Sequence, residues 1–148
     1  MNKFENPSFS LRAAAIIIKD GCVLLCKNDS HTCFYLPAGG IEKGESSSDA
    51  VVRELYEETG VHLDIDRLIY IQERFYTTQN TPQHEITFIY LMNENAFSIP
   101  HGSNTDRPDE HLKWVSLDKL HEISIVPPFI GSAISNLPKR LTHIITHD

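Results

Sequence analysis

The sequence predicts an α/β domain in which a mixed β-sheet lies between helices. Two observations carry that expectation. Short apolar runs rich in β-branched residues are interleaved with two stretches of helical spacing, Ser46 to Thr59 and Phe129 to Leu137. An Asp-Gly pair, Asp20-Gly21, joins the first two of those runs as a hairpin. A chain of 148 residues with 41% hydrophobic content can bury most of its apolar surface in one unit, so a single domain over residues 1–148 is expected.

In chain order, Ala13 to Ile18 and Cys22 to Cys26 read as paired strands turning at Lys19-Asp20-Gly21. Phe34 to Leu36 is a short strand leading into Leu36-Pro37-Ala38-Gly39-Gly40-Ile41-Glu42-Lys43-Gly44-Glu45, whose three glycines suit a tight loop. Ser46 caps the helix that follows, Asp49 sits where negative charge suits its N-terminus, and Gly60 ends it, with a strand expected to begin near Val61. Leu63 to Tyr76 reads as extended with Ile69, Ile71 and Phe75 on one side, and Asn80 to Gln83 makes a turn at Pro82. His84 to Met92 is apolar on both faces, as in a central strand: Ile86, Phe88, Tyr90 and Met92 on one, Thr87, Ile89 and Leu91 on the other. Asn93 to Pro108 is a polar surface loop, Lys113 to Ser116 a short strand carrying Trp114, and Leu117 to Leu120 a turn or helix. Phe129 to Leu137 is a second helix stopped by Pro138, and Lys139 to Asp148 is left open between strand, helix and loose tail.

The densest chemistry lies between Gly39 and Val61. On a helix, Glu54, Glu57 and Glu58 stand at i, i+3 and i+4, so their carboxylates share a face. Three carboxylates in one place repel unless protons or a cation neutralise them, and oxygen ligands of this kind suit Mg²⁺ or Mn²⁺. Arg53, four residues before Glu57, is in reach to hold a carboxylate in a ligating rotamer. An acidic helix end taken alone is more often a solvated face; the glycine loop and Arg53 reverse that reading.

The whole pattern is Gly39, five residues, Glu45, seven residues, Arg53-Glu54-Leu55, one residue, Glu57-Glu58, one residue, Gly60-Val61, and it resembles the Nudix box with all nine specified positions filled. The resemblance implies an α/β/α sandwich and Mg²⁺- or Mn²⁺-dependent hydrolysis of a nucleoside diphosphate linked to another moiety X, giving a nucleoside monophosphate and phosphorylated X. It implies metal ligands at Glu54, Glu57, Glu58 and the backbone carbonyl of Ala38, a position where many members carry glycine. Glu45 matches the glutamate that supports the helix end or joins the metal cluster. The general base falls to Glu54 or to Glu110, an acidic residue shortly before the tryptophan strand.

A formal charge of −7 argues against a broad surface for long nucleic acid and favours a small nucleotide-type substrate, offset locally by cations such as Arg74, Arg107 or Lys43. Phe75, Tyr76, Tyr90 and Phe97 are candidates to stack a base, although aromatics on apolar strands are more often core. His84 and Glu85 start the strand beside the expected cleft and are surface residues unless they read a sugar or base. Cys22, Cys26 and Cys33 lack metal-site spacing and read as free thiols, and the eight histidines form no ligand pair. Met1 to Ser10 has no apolar signal core and Ala13 to Ile18 is too short to cross a bilayer, so a cytoplasmic protein without membrane contact is expected, with a homodimer left open. Two other functions compete: a catalytically silent nucleotide sensor, disfavoured by the intact glutamates, and an RNA 5′-end processing enzyme, disfavoured by the acidic charge.

Overall fold

A computed structural model describes residues 6–93, 99 and 107–148. Its strands are β1 (Ser8–Ile16), β2 (Ile18–Lys19), β3 (Cys22–Asn28), β4 (Phe34–Tyr35), β5 (Ala38–Gly40), β6 (Ile65–Thr78), β7 (Thr81–Met92), β8 (Glu110–Ser116), β9 (Ile125–Val126) and β10 (Thr142–His147). Helix α1 spans Ser47–Thr59, α2 spans Ile130–Ser135, and a 3-10 helix covers Leu117–Glu122.

The apolar run after Arg12 decides the layering. Side chains alternate across a strand, so a continuous apolar run has to be covered on both faces. Ala13, Ala15 and Ile17 pack into one core with Ala50, Val51 and Leu55 of α1. Ala14 and Ile16 pack into a second with Ile130, Ala133 and Ile134 of α2. The result is helix, sheet, helix, the α/β/α sandwich that was expected. The main sheet runs β10-β6-β7-β1-β5, with β1 parallel to β7, β10 parallel to β6 and the other pairs antiparallel, so it is mixed. A second sheet centres on β3, which pairs with β2, β4 and β8.

Several boundaries differ from the sequence reading, each for a local reason. The Asp20-Gly21 hairpin is as expected, both residues having positive φ (51° and 72°). The second hairpin turns one step earlier than Asn80–Gln83, at Gln79 and Asn80 (φ 48° and 62°), and Pro82 already pairs with Thr77. Ile69 and Ile71 do not share a face: register slips between Leu68 and Tyr70, and Ile71 then lies opposite Phe88. No strand starts at Val61; β6 begins at Ile65. The tryptophan strand is longer than expected and starts at Glu110, while α2 is shorter, ending at Ser135 before Pro138 is reached. The tail settles as β10. Most of the Asn93–Pro108 loop falls outside the described residues, as does Phe97. Among the described residues no helix is long and apolar enough to cross a membrane.

Helix α1 is bounded as the sequence suggests. Ser46 Oγ accepts from the Asp49 amide at 3.1 Å, and Gly60, at φ 75°, donates its N–H to the Tyr56 carbonyl. Ser46→Ala removes that cap and should lower stability by about 1 kcal/mol. The measurement is the urea midpoint, which should fall with no change in slope.

Candidate active site

The site is built where α1 lies against β5. Arg53 stands in the middle of α1's exposed flank and uses nearly its whole donor fork. Its Nε and Nη2 donate to Glu45 at 2.7 and 2.9 Å, Nη1 donates to Glu54 at 3.0 Å and to both oxygens of Glu57 at 3.3 Å, and Nη2 reaches the Gly40 carbonyl at 3.0 Å. The i,i+4 contact to Glu57 is the one that the spacing predicted; the others were not. The guanidinium holds the Glu45 carboxyl down to about 2, with help from the Glu42 amide, and the Arg53 pKa is itself raised, chiefly by Glu45.

Gly39 has a steric reason to be glycine. A Cβ at that position would overlap the carboxyl group of Glu54 outright, so Glu54 rests directly on the β5 backbone. Glu58 behaves differently from its neighbours and is buried, at 8% exposure, beneath the end of α1. The expected convergence of three carboxylates is therefore partial: Glu54 and Glu57 share Arg53, and Glu58 turns inward. Among the described residues no three acidic, histidine or cysteine side chains stand close enough to enclose a metal ion. The donors themselves are all oxygen, and the bare backbone at Gly39 lets one carboxylate lie beside the Ala38 strand, which is chemistry that fits a hard divalent cation.

Glu110, at the start of β8, is 3% exposed, a buried carboxylate. Tyr35 Oη donates to its Oε2 at 2.7 Å, and Arg107 Nη1 lies 3.7 Å away. Burial, then the charges of Glu58 and Glu110, push the Cys26 thiol up, which disfavours the reactive thiolate. Burial and the bond to Glu110 likewise raise Tyr35. All three cysteines are free thiols, as expected.

On the opposite face of the main sheet a cavity of about 250 Å³ opens beside Ala38. Its lining is part apolar, including Ala14, Leu36, Ile89 and Ile130, and part polar, with Arg12, Gln72, Arg74, Glu85 and Thr87 beside Tyr35 and Tyr76. Of the residues proposed to meet substrate, Arg74, Tyr76 and Glu85 line it. Tyr90 is core, bonded to Ser47 at 2.6 Å. Phe75 stacks between His84 and His147, and Lys43 is exposed in the glycine loop. Sequence reasoning missed Tyr35, Arg12, Gln72 and Thr87 as cavity residues; Gln72 and Thr87 each stand two residues from a candidate that was named, Arg74 and Glu85, and so on the same strand face.

A family model described as NUDIX domain matches residues 9–134. Over 92 residues the chain is 33% identical to a probable DHNTP pyrophosphohydrolase of Lactococcus lactis, covering 59% of this chain and 55% of that protein. Over 81 residues it is 35% identical to an ADP-ribose pyrophosphatase of Methanocaldococcus jannaschii, covering 52% and 46%. The curated relatives compared are matched over only 18% to 55% of their own lengths. The fold is similar to that of a mutator MutT protein of Bacillus halodurans, with TM-score 0.77 and 22% identity over 93% of this chain and 89% of that one. It is also similar to a MutT NUDIX hydrolase of Burkholderia pseudomallei, with TM-score 0.61 and 26% identity over 91% of each. Since the family model covers most of the chain, including every residue from the glycine strand to α2, this protein belongs to the NUDIX domain family.

Proposed function

We propose that this chain is a divalent-metal-dependent pyrophosphohydrolase that cleaves a nucleoside diphosphate linked to another moiety X into nucleoside monophosphate and phosphorylated X. The observation that carries the reading is the Glu54 carboxylate seated on β5 at Gly39, with Arg53 joining it to Glu57, one residue along the strand from a cavity of about 250 Å³. Two relatives named as pyrophosphohydrolase and pyrophosphatase support the reaction class.

In the reaction, the oxygen of a water molecule forms a bond to one phosphorus of the diphosphate, and the bond from that phosphorus to the bridging oxygen breaks. The bridging oxygen leaves with the other phosphate. Glu54 or Glu110 would take the water's proton, the two candidates that the family resemblance offers. Mg²⁺ or Mn²⁺ held by Glu54, Glu57, Glu58 and the Ala38 carbonyl would polarise the phosphate oxygens and offset charge on the leaving phosphate. Arg53 orients Glu54 and Glu57 without touching substrate, and the cavity wall beside Ala38 receives the nucleoside or X. A panel of nucleoside triphosphates, ADP-ribose, nucleotide sugars, dinucleoside polyphosphates, NADH and capped RNA, assayed for hydrolysis with Mg²⁺ and Mn²⁺, tests the assignment. Binding without turnover of any member would instead identify a sensor.

Glu57→Gln and Glu58→Gln should each lower turnover by several orders of magnitude with the helix still folded, as judged by circular dichroism. Near wild-type rates from both would overturn the metal assignment. Gly39→Ala should displace the Glu54 carboxylate, a flexible side-chain end, rather than unfold the chain. Turnover should therefore collapse while the melting temperature moves by only a few degrees.

The acid limb of stability provides a separate check. Because the carboxyl of Glu45 is depressed from 4.5 to about 2, its contact with Arg53 contributes stability above pH 4.5 that is lost as pH falls toward 2. The stability gap between wild type and Glu45→Gln, followed by urea unfolding, should close over that interval.

A further inference from the structure

Arg74 and Glu85 lie directly opposite each other across the β6–β7 pair, where opposite charges on one sheet face normally join. They do not join here. Arg74 turns to Asp148, just past β10, and donates from Nε and Nη2 to the same Oδ2 at 2.8 and 2.6 Å. Its guanidinium lies over the Tyr76 ring, 4.1 Å from the centroid. Among the described residues the hydrogen-bond partners of Glu85 are hydroxyls: Ser10 at 3.5 Å and Tyr76 at 3.3 Å on Oε2, and Thr87 at 3.4 Å on Oε1. All three bonds are at the long end of the hydrogen-bond range, so better-placed donors would displace them. A carboxylate on the cavity wall, with its natural counter-charge drawn off by a residue 63 positions later, is an acceptor left available to a ligand.

We propose that Glu85 grips the substrate in this cavity by accepting from a pair of adjacent donors, and that Asp148 is a positioning residue that keeps Arg74 from occupying Glu85. The two oxygens of a carboxylate match two parallel donors. A nucleotide offers such a pair in two places: the ring and exocyclic N–H groups of guanine, and the vicinal hydroxyls of ribose. The inference rests on the reading above that a nucleotide enters this cavity, and it identifies the side chain that selects it.

Calorimetric titration of the full chain with GMP, IMP and dGMP tests the assignment. Glu85→Gln and Asp148→Asn should each weaken GMP binding by about tenfold or more, the loss expected for a hydrogen bond to a charged group. The double variant Asp148→Asn/Arg74→Ala should recover it, because the Arg74 guanidinium released from Asp148 is then absent, while Arg12, which also lines the cavity, is unchanged in both variants. If the donors are on the base, the loss is larger for GMP and dGMP than for IMP, which keeps the ring N1–H but lacks the exocyclic amine. If they are on the ribose, GMP and IMP lose equally and dGMP, which keeps only the 3′-hydroxyl, loses less. A double variant as weak as Asp148→Asn alone, unchanged GMP affinity in Glu85→Gln, or no binding of any of the three by wild type would overturn the proposal. Turnover in the substrate panel separates the two readings. Hydrolysis by wild type with no effect of Glu85→Gln on binding sinks this inference alone, whereas the affinity pattern without any turnover sinks the hydrolase reading alone.

Discussion

The site depends on a single guanidinium. Glu45, Glu54 and Glu57 are all bonded to Arg53, with a Glu42 oxygen 4.0 Å away. That many carboxylates within one hydrogen-bond radius would repel strongly if nothing positive stood among them. Arg53 also bonds the Gly40 carbonyl, so the group that neutralises the helix ties it to the glycine strand. A lysine offers three donors around one point, not a planar fork, and could not serve this many partners from one position.

The strand that Arg53 grips also borders the cavity. Successive residues of a strand point to opposite faces. Ala38 therefore packs into the core beneath α2 and lines the cavity, while Gly39 turns its missing side chain toward Glu54 on α1. One residue step along β5 thus separates the face that lines the cavity from the face on which Glu54 rests. The two cores on either side of β1 hold that step in place, because neither helix can shift without opening one of them.

The local features were legible in the sequence, and the long-range ones were not. The bounds of α1, the Asp20-Gly21 turn and the two-faced strand β7 follow from capping, turn chemistry and period, all of which act within a few residues. The slip at Leu68–Tyr70 and the early turn at Gln79-Asn80 were missed because each depends on pairing with a partner strand. The burial of Glu110 was ambiguous for the same reason: its neighbour Tyr35 lies 75 positions earlier in the chain. The carboxylate spacing on α1 was read correctly, but the inward rotamer of Glu58 is a matter of packing, on which helical periodicity is silent.

Strand β10 carries a kinetic implication. It joins β6 in parallel, Thr142 beside Tyr70 through His147 beside Phe75, and parallel neighbours this far apart in sequence must close a long loop before any ladder forms. Contacts of that kind assemble slowly and come apart early. Thr146 holds Gln72 in the cavity wall as Asp148 holds Arg74, so both polar anchors arrive with this one late element. Loosening β10 from β6 would thus disturb Gln72 and Arg74 together, so the polar side of the cavity is only as firmly set as that one strand pairing.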